Sequence, residues 1–516
     1  MENKAFQKDD GKQYGTVDNG TRQRTFPNGT DKDDSHDYEN VKEKNDSGGV
    51  SIEPIKLKRS VGLISGTSLI VGTIIGSGIF ISPTDVLDRT GSVGLSLVIW
   101  SLSGLLALLG ALSYSELGTM IRKSGGEYAY MKEAYGDVMA FLFAWTSVIV
   151  IRTSSVAIIS LTFGEYMATF FPMCGSPENI KKLVAIVVIV TIAVVNCIDT
   201  TLAARMQVFF TAAKLIALMI IVVGGLIRLG QGHVSQLEDS FKGSETNPSS
   251  IALAFYNALW AYDGWNNLNY VTEEIEDPKK NLPRANIIAV LLVTIVYILT
   301  NISYLTAMTA AELLSVDAVA VTWGDRLLGG AAILMPLAVL FSTFGAANGT
   351  LFSGGRVVYV ASREGHLPEV LSYVHCKRVT PMPSIVFTAL ISIAMVIPGN
   401  IGSLIDFFSF TAWLFYGLTV GSLILLRFTR KDLERPLKIP IIIPIIFVLI
   451  ACYLVIGPIV QDPKIEFLYA FLFVIGGLLF YIPFVYFKIE LRMFAKVTDF
   501  FQLLCEIVPS PYEPDD

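Results

Sequence analysis

The 516-residue chain has little charge, little histidine and no organised cysteine. Charged residues make up 16% of it, against about 25% in soluble globular domains, so a soluble globular fold is excluded. The formal net charge of -6 is too small over this length to argue for a charged partner, and no basic block suggests nucleic acid. Cys174, Cys197, Cys376, Cys452 and Cys505 share no C-x-x-C spacing, which argues against a zinc or redox motif. No nucleophile, base and orienting group fall at recognisable spacings, so neither an enzyme nor a bound metal or cofactor is expected. No apolar h-region opens the sequence, so a cleavable signal peptide is not expected and the first membrane helix is left to direct insertion.

What the chain has in excess is apolar sequence: 52% hydrophobic residues and a mean hydropathy of +0.55. Runs of about 20 apolar residues, enough to cross a hydrocarbon core of about 30 Å, follow one another to give about 12 spans. Residues 1–60, rich in Asp, Lys, Asn, Gly and Ser, read as a disordered cytoplasmic tail. Residues 61–488 read as the transmembrane domain and 489–516 as a cytoplasmic C-terminal tail. Basic residues gather in alternate loops, at Lys132, Lys279, Lys280, Arg284, Arg430 and Lys431 among others, which places both termini inside. Sequons at Asn19, Asn28 and Asn45 then lie in the tail, and those at Asn301 and Asn348 lie within spans.

Two spans carry interruptions that lipid would not tolerate. In "VGTIIGSGIFISP", Gly76, Ser77 and Gly78 stand where continuous helix is least favourable. In "IALAFYNALWAYDGWNNLNYVTEEIEDP", Asp263, Gly264, Asn266 and Asn267 fall in mid-span. Unpaired peptide groups at membrane depth must be buried in protein or line a cavity. Breaks in the first and sixth spans point to an inverted-repeat transporter with its site at the midplane, spans one to five and six to ten being the repeats. A half-helix starting at Gly78 or Ile79 offers free N–H groups to a carboxylate. Half-helices ending near Ile75 and Ala261 offer unpaired carbonyls to an ammonium. Together these poles suit an α-amino acid zwitterion, with glycine at 76 and 78 allowing close approach. Gly72 and Gly76 also form a GxxxG pair, so helix packing is the competing reading of the first stretch.

The segments "GTIIGSGIFISP", "ALSYSELGTMIRKSGGEYAY", "AFYNALWAYDGWNNLNYVTEEIEDPKKNLPRA" and "REGHLP" resemble the light subunits of heteromeric amino acid transporters, in the amino acid, polyamine and organocation superfamily. The likeness runs from about residue 60 to 510, and "LWAYDGWN", "STFGAANGT" and "FTAWLFYGL" are most similar to the b-zero-plus branch of that family. It implies an all-α polytopic membrane protein with a LeuT-like 5+5 inverted repeat and discontinuous helices 1 and 6. It also implies sodium-independent exchange by alternating access, taking up cystine and cationic (dibasic) amino acids in return for neutral ones. Carried over by motif, Thr73, Ile74, Ser77, Gly78 and Ile79, with Trp260, Ala261 and Asp263, are the expected substrate-binding residues. Lys214, a lone ammonium in span five, resembles a built-in substitute for the sodium bound by coupled cousins. The family forms an interchain disulfide to a single-pass glycoprotein heavy subunit, which implies an rBAT-like partner at Cys174 in "FPMCGSPENI" and a plasma-membrane location, apical in epithelia. "EIVPSPYEP" resembles the end of the light-subunit chains, where a Val-Pro element, here Val508 and Pro509, assists export from the endoplasmic reticulum.

Asp263 is the expected specificity residue, attracting a cationic side chain; the competing reading pairs it internally with Lys214 or Arg152. Arg152 departs from the b-zero-plus pattern, which has lysine there, and matches the cystine/glutamate exchanger; Ala412 and Asp263 do not match that exchanger and favour cationic substrates. Trp260 is either a lid or a packing residue, Glu273 and Glu274 a helix-end ion-pair cluster, and His366 a loop histidine. The alternatives to the leading reading are a cystine/glutamate or broad neutral exchanger of the same family, and an amino acid sensor that signals through its tail.

Overall fold

The computed structural model describes residues 61–121, 125–171, 178–316, 318–378, 380–461, 465–487, 498, 502–503 and 505–509. Both expected tails lie largely outside these residues, as do Cys174 and the sequons at Asn19, Asn28 and Asn45. The described chain is almost wholly helical.

The first span is a broken pair, α1 (Leu63–Ile74) and α2 (Gly78–Thr90), bent by 51°. After α3 (Val93–Met120) come the short α4 (Glu127–Tyr135) and a third span built from α5 (Asp137–Thr146), a π-turn over Ser147–Ile151 and α6 (Arg152–Ala168). Then follow α7 (Glu178–Ile198), α8 (Thr200–Gly230), α9 (Pro248–Ala261), a 3₁₀ segment over Asn267–Glu274 and α10 (Pro278–Ala307). The second half contains the short α11 (Ala310–Ser315) and α12 (Val319–Leu327), then α13 (Leu334–Arg363), α14 (Met382–Val396), α15 (Ile401–Thr429), α16 (Ile442–Gln461) and α17 (Ile465–Phe480).

Among the described residues, 9 helices are long and apolar enough to cross a membrane, or 10 when the bent pair counts as one span. The other two runs expected as spans are α14, of 15 residues, and the sixth run, whose helix stops at Ala261. The third run is one span of 32 residues, Asp137–Ala168, interrupted by the π-turn.

Two packing facts position the site. The half of span one that follows its break, α2, packs on the half of span six that precedes its break, α9. The half that precedes the first break, α1, packs in turn on the 3₁₀ segment that follows the second. The two breaks therefore lie side by side with opposite chain direction, the arrangement that inverted repeats require. Gly78 is what permits it: a Cβ there would sit 2.4 Å from the Cα of Ala261.

At one end of the bundle a buried ion pair closes α3 onto α15. Glu116, 0% exposed, is held by Arg427, 8% exposed, through both guanidinium Nε (2.9 Å) and Nη2. Glu116 Oε2 also accepts the Ile439 amide at 2.9 Å, and Arg427 donates to the Ile439 carbonyl at 2.7 Å. Every charge here has a partner, without which burial at this depth would be untenable. At the same end Lys279 pairs with Glu434 at 2.7 Å and Arg430 with Glu133 at 2.6 Å, so basic loops that are distant in sequence meet there.

The Val-Pro element is docked. A two-stranded antiparallel ribbon joins β1 (Tyr373–His375) to β2 (Ile507–Pro509), with Val508 opposite Val374 and Pro509 opposite Tyr373. Ile507 is buried beneath it, and Glu506 pairs with Lys377 at 3.1 Å.

Between α10 and α13, Arg326 grips Glu312 through Nη1 at 3.0 Å and Nη2 at 2.8 Å, and Glu312 also completes a capping box with Thr309. The Arg326 hydrogen bond, then those from Thr309, hold the Glu312 carboxyl at about 2, below its ordinary 4.5. A depressed carboxylate contributes stability above its unfolded value and loses it only as pH falls through the folded one. The clasp should therefore be intact from neutrality down to about pH 5 and fail between about pH 4.5 and 2. Hydrogen exchange of the 309–327 amides, measured at pH 7 and pH 5, should show unchanged protection after correction for intrinsic rates.

Candidate functional site

The site grows from the first break. Because α2 starts at Gly78 and no side chain caps it, its first amides have no partner within the helix. They form the anion-accepting pole expected for a carboxylate. Ser77 is buried beside them, and its Oγ has no hydrogen-bond partner. Ile74, Gly78 and Ile79 are buried, and Thr73 is turned back onto its own helix, Oγ1 donating to the Leu69 carbonyl at 2.7 Å. The Thr73 side chain fills the space above Gly264, where a Cβ would meet it at 2.9 Å; Gly264, at φ 105°, also needs the left-handed region open to glycine.

The carbonyl pole differs from the expectation. Two half-helix ends do converge, but their carbonyls are not free: the Tyr297 hydroxyl donates toward Ile74 O (3.0 Å) and Ala261 O (2.9 Å). A phenol from α10 thus ties the two breaks together where an ammonium was expected. The Gly76 carbonyl accepts from Ser342 Oγ at 3.3 Å. Close approach is divided between the two glycines. Gly78 spends its missing side chain on Ala261, whereas a Cβ at Gly76 would find its nearest neighbour, Ala346 Cβ, at 3.7 Å. The GxxxG reading is partly right too, since a Cβ at Gly72 would stand 3.3 Å from Thr211 Cγ2 of α8.

Lys214 lies one turn from Thr211 on the same helix and is buried, donating to the Gly72 carbonyl ahead of the break. Its amine thus sits at the C-terminal end of α1, where helix carbonyls favour a cation. Of the two internal partners considered for Asp263, Lys214 is thereby engaged elsewhere.

Asp263 lies in the second break, and its Oδ1 accepts the Tyr416 hydroxyl of α15 at 2.8 Å. A small polar hollow beside it is lined by Glu127, Arg152, Asn266, Tyr270 and Tyr416, with Ser147 and Ile151 of the π-turn. Arg152 shares that hollow with Asp263, its guanidinium 5.1 Å from the Tyr270 ring centre. The structure therefore forms two neighbouring clusters. Thr73, Ile74, Ser77, Gly78, Ile79 and Ala261 gather at the paired breaks, and Asp263 joins the polar hollow on the far side of the second one.

Trp260 is buried and meets Phe408 of α15 edge-on, ring centres 4.8 Å apart, with its indole N–H unpartnered. That contact is compatible with a lid lying against α15 and with simple packing. His366 sits in the loop after α13 between the rings of Tyr128 and Phe141, each 5.5 Å away. Burial is the first cause holding its imidazole below the ordinary value, followed by the Lys132 charge. It is a packed loop histidine and reaches neither cluster.

Tyr297, Tyr416, Tyr270 and Glu127 were not singled out from the sequence, and Asn266 was read there only as part of the interruption. A tyrosine on an apolar helix carries no positional signal. Glu127 stands in a Gly-Gly loop that reads as solvated, yet it is buried and accepts from Asn266.

With this geometry in view, comparison with known proteins is decisive. The amino acid permease family model matches residues 61–480. The chain belongs to that family. It is 52% identical to the b(0,+)-type amino acid transporter 1 of Mus musculus, over 90% of this chain and 96% of the relative. It is 43% identical to the cystine/glutamate transporter of Homo sapiens, over 89% and 92%, and 43% identical to the large neutral amino acids transporter small subunit 2 of Rattus norvegicus, over 87% and 84%. The permease is accordingly a multi-span membrane protein that exchanges amino acids, and not an enzyme. The resemblance read from "GTIIGSGIFISP" and "LWAYDGWN" holds over the whole helical domain.

Proposed function

We propose that this permease takes up cystine and cationic amino acids in exchange for neutral ones, without sodium, by alternating access. The observation that carries the reading is Asp263: a carboxylate at the second helix break, lining a polar hollow that neighbours the cluster with the uncapped helix amides. The amides at Gly78 and Ile79 take the substrate carboxylate, with Ser77 Oγ as a further donor. The zwitterion's ammonium takes over the Ile74 and Ala261 carbonyls that Tyr297 holds in its absence. A guanidinium or ammonium side chain reaches Asp263, and Trp260 closes against Phe408. Lys214 supplies the charge that sodium supplies elsewhere, which is the basis for sodium independence.

The hollow as described has room for about one water. A substrate side chain must displace resident groups, as a site that opens and closes demands. The meeting of the Lys279, Glu434, Arg430 and Glu133 loops at one end supports a cytoplasmic face there and both termini inside. We assign Cys174, in the outer loop after the third span, to a disulfide with a single-pass, rBAT-like glycoprotein partner at the plasma membrane.

Uptake of labelled arginine, cystine, leucine and glutamate, with and without sodium and with and without a heavy subunit, tests the reading. Arginine and cystine should enter without sodium and exchange against preloaded leucine, and surface delivery should need the heavy subunit. Preferred glutamate uptake would sink the cationic specificity. Loss of the adduct in Cys174→Ser, read on a non-reducing gel, tests the partner separately.

A further inference from the structure

The hollow beside the second break is one cation short. It contains two carboxylates, Asp263 and Glu127, and a single cation, Arg152. Glu127 is 1% exposed; its Oε1 accepts from Asn266, and its Oε2 has no hydrogen-bond partner. A buried carboxylate oxygen without a donor is costly and calls for an explanation, a bound group being one.

Arg152 is placed in this hollow by a specific device. The π-turn over Ser147–Ile151 inserts one residue into the helical ladder just ahead of it, and such insertions are concentrated at functional sites. Gly354 of α13 lies alongside it, where a Cβ would stand 3.5 Å from Arg152 Cβ, an ordinary contact. The guanidinium lies over the Tyr270 ring, and its Nε has no partner. It lines the same hollow as the two carboxylates.

We propose that Glu127 and Arg152 together set the preference for substrates with a cationic side chain. With a neutral amino acid bound, or none, Arg152 covers Asp263. When a guanidinium or ammonium side chain arrives at Asp263, Arg152 passes over the Tyr270 face to Glu127. Two carboxylates then meet two cations, so a dibasic substrate supplies the missing charge and a neutral one leaves the resident arginine in place. Arg152 is thus a tethered competitor and Glu127 the acceptor that makes it displaceable. The proposal rests on Asp263 receiving the cationic end of the substrate.

The test compares kcat/KM for arginine and leucine in the full-length transporter, expressed in cells with a heavy subunit and corrected for surface amount by biotinylation. Glu127→Gln should lower the arginine-to-leucine ratio by about tenfold or more, because Arg152 then has only Asp263 to pair with. Adding Arg152→Gln to that variant should bring the ratio back to within about threefold of the unmutated protein, since neither acceptor nor competitor remains. An unchanged ratio in Glu127→Gln, or a double variant as low as the single one, overturns the proposal. If Glu127→Gln does not reach the surface, Arg152→Gln alone decides: a ratio raised about threefold or more supports the proposal, and an unchanged or lowered one overturns it. Asp263→Asn, run in parallel, separates the two levels. If it leaves the ratio unaltered, the assignment of Asp263 fails; if it lowers the ratio while Glu127→Gln does not, only the tethered competitor fails.

Discussion

Asp263→Asn is expected to cut kcat/KM for arginine by about a hundredfold or more while changing that for leucine by only a few-fold. Two unit charges about 4 Å apart are worth roughly 4 kcal/mol at an effective dielectric of about 20, a ceiling near a thousandfold before desolvation. Two features of the site hold the effect below that ceiling. Tyr416 already donates to Asp263 Oδ1 at 2.8 Å, so part of the carboxylate's charge is spent before any substrate arrives. Arg152 stands in the same hollow and must be displaced. Asparagine keeps the shape and still accepts from Tyr416, so a loss confined to cationic substrates isolates the charge. An equal fall for arginine and leucine would instead make Asp263 part of the scaffold of the second break.

The breaks were legible in the sequence because lipid makes polar backbone conspicuous. A Gly-Ser-Gly core and an Asp-Gly-Trp-Asn-Asn string inside apolar runs are hard to reconcile with unbroken helix, and the helices do stop at Ile74 and Ala261 and restart at Gly78. What satisfies the broken ends was not legible. Tyr297 is 36 residues from Ala261 in the chain and 223 from Ile74, and only the packing of α10 against α1 brings its hydroxyl to both carbonyls. Glu127 was hidden for a related reason. Charged residues beside glycine pairs usually face water, and the short helix that carries it gives no sign of folding beneath the second break. The π-turn left no mark either, because "SVIVI" reads as ordinary apolar helix. Composition and punctuation exposed where the backbone fails; side-chain partners supplied by distant helices needed coordinates.

Gly78→Ala is expected to reduce transport of every substrate, cationic and neutral alike, to about a hundredth or less. A Cβ at Gly78 would lie 2.4 Å from Ala261 Cα and 2.6 Å from its Cβ, a clash with backbone that no rotamer change relieves. Overpacking of this kind typically costs about 1–3 kcal/mol. Here the strain falls on the seam between α2 and α9, so the movement that relieves it separates the uncapped amides at Gly78 from the carbonyls at Ala261. A zwitterion needs both poles at once, and a shift of about 1 Å in such a site is enough to cost about a hundredfold. The comparison that gives the prediction force is Gly76→Ala. A Cβ at Gly76 meets nothing nearer than 3.7 Å in the protein itself. Any loss of transport there must come from obstruction of the ligand rather than from a moved helix. A purified Gly78→Ala transporter should accordingly melt at a lower temperature than the unmutated one, whereas Gly76→Ala should melt with it even where its uptake falls. Equal melting temperatures for Gly78→Ala and the unmutated protein, with uptake intact, would mean that the two half-helices do not meet at this seam during transport.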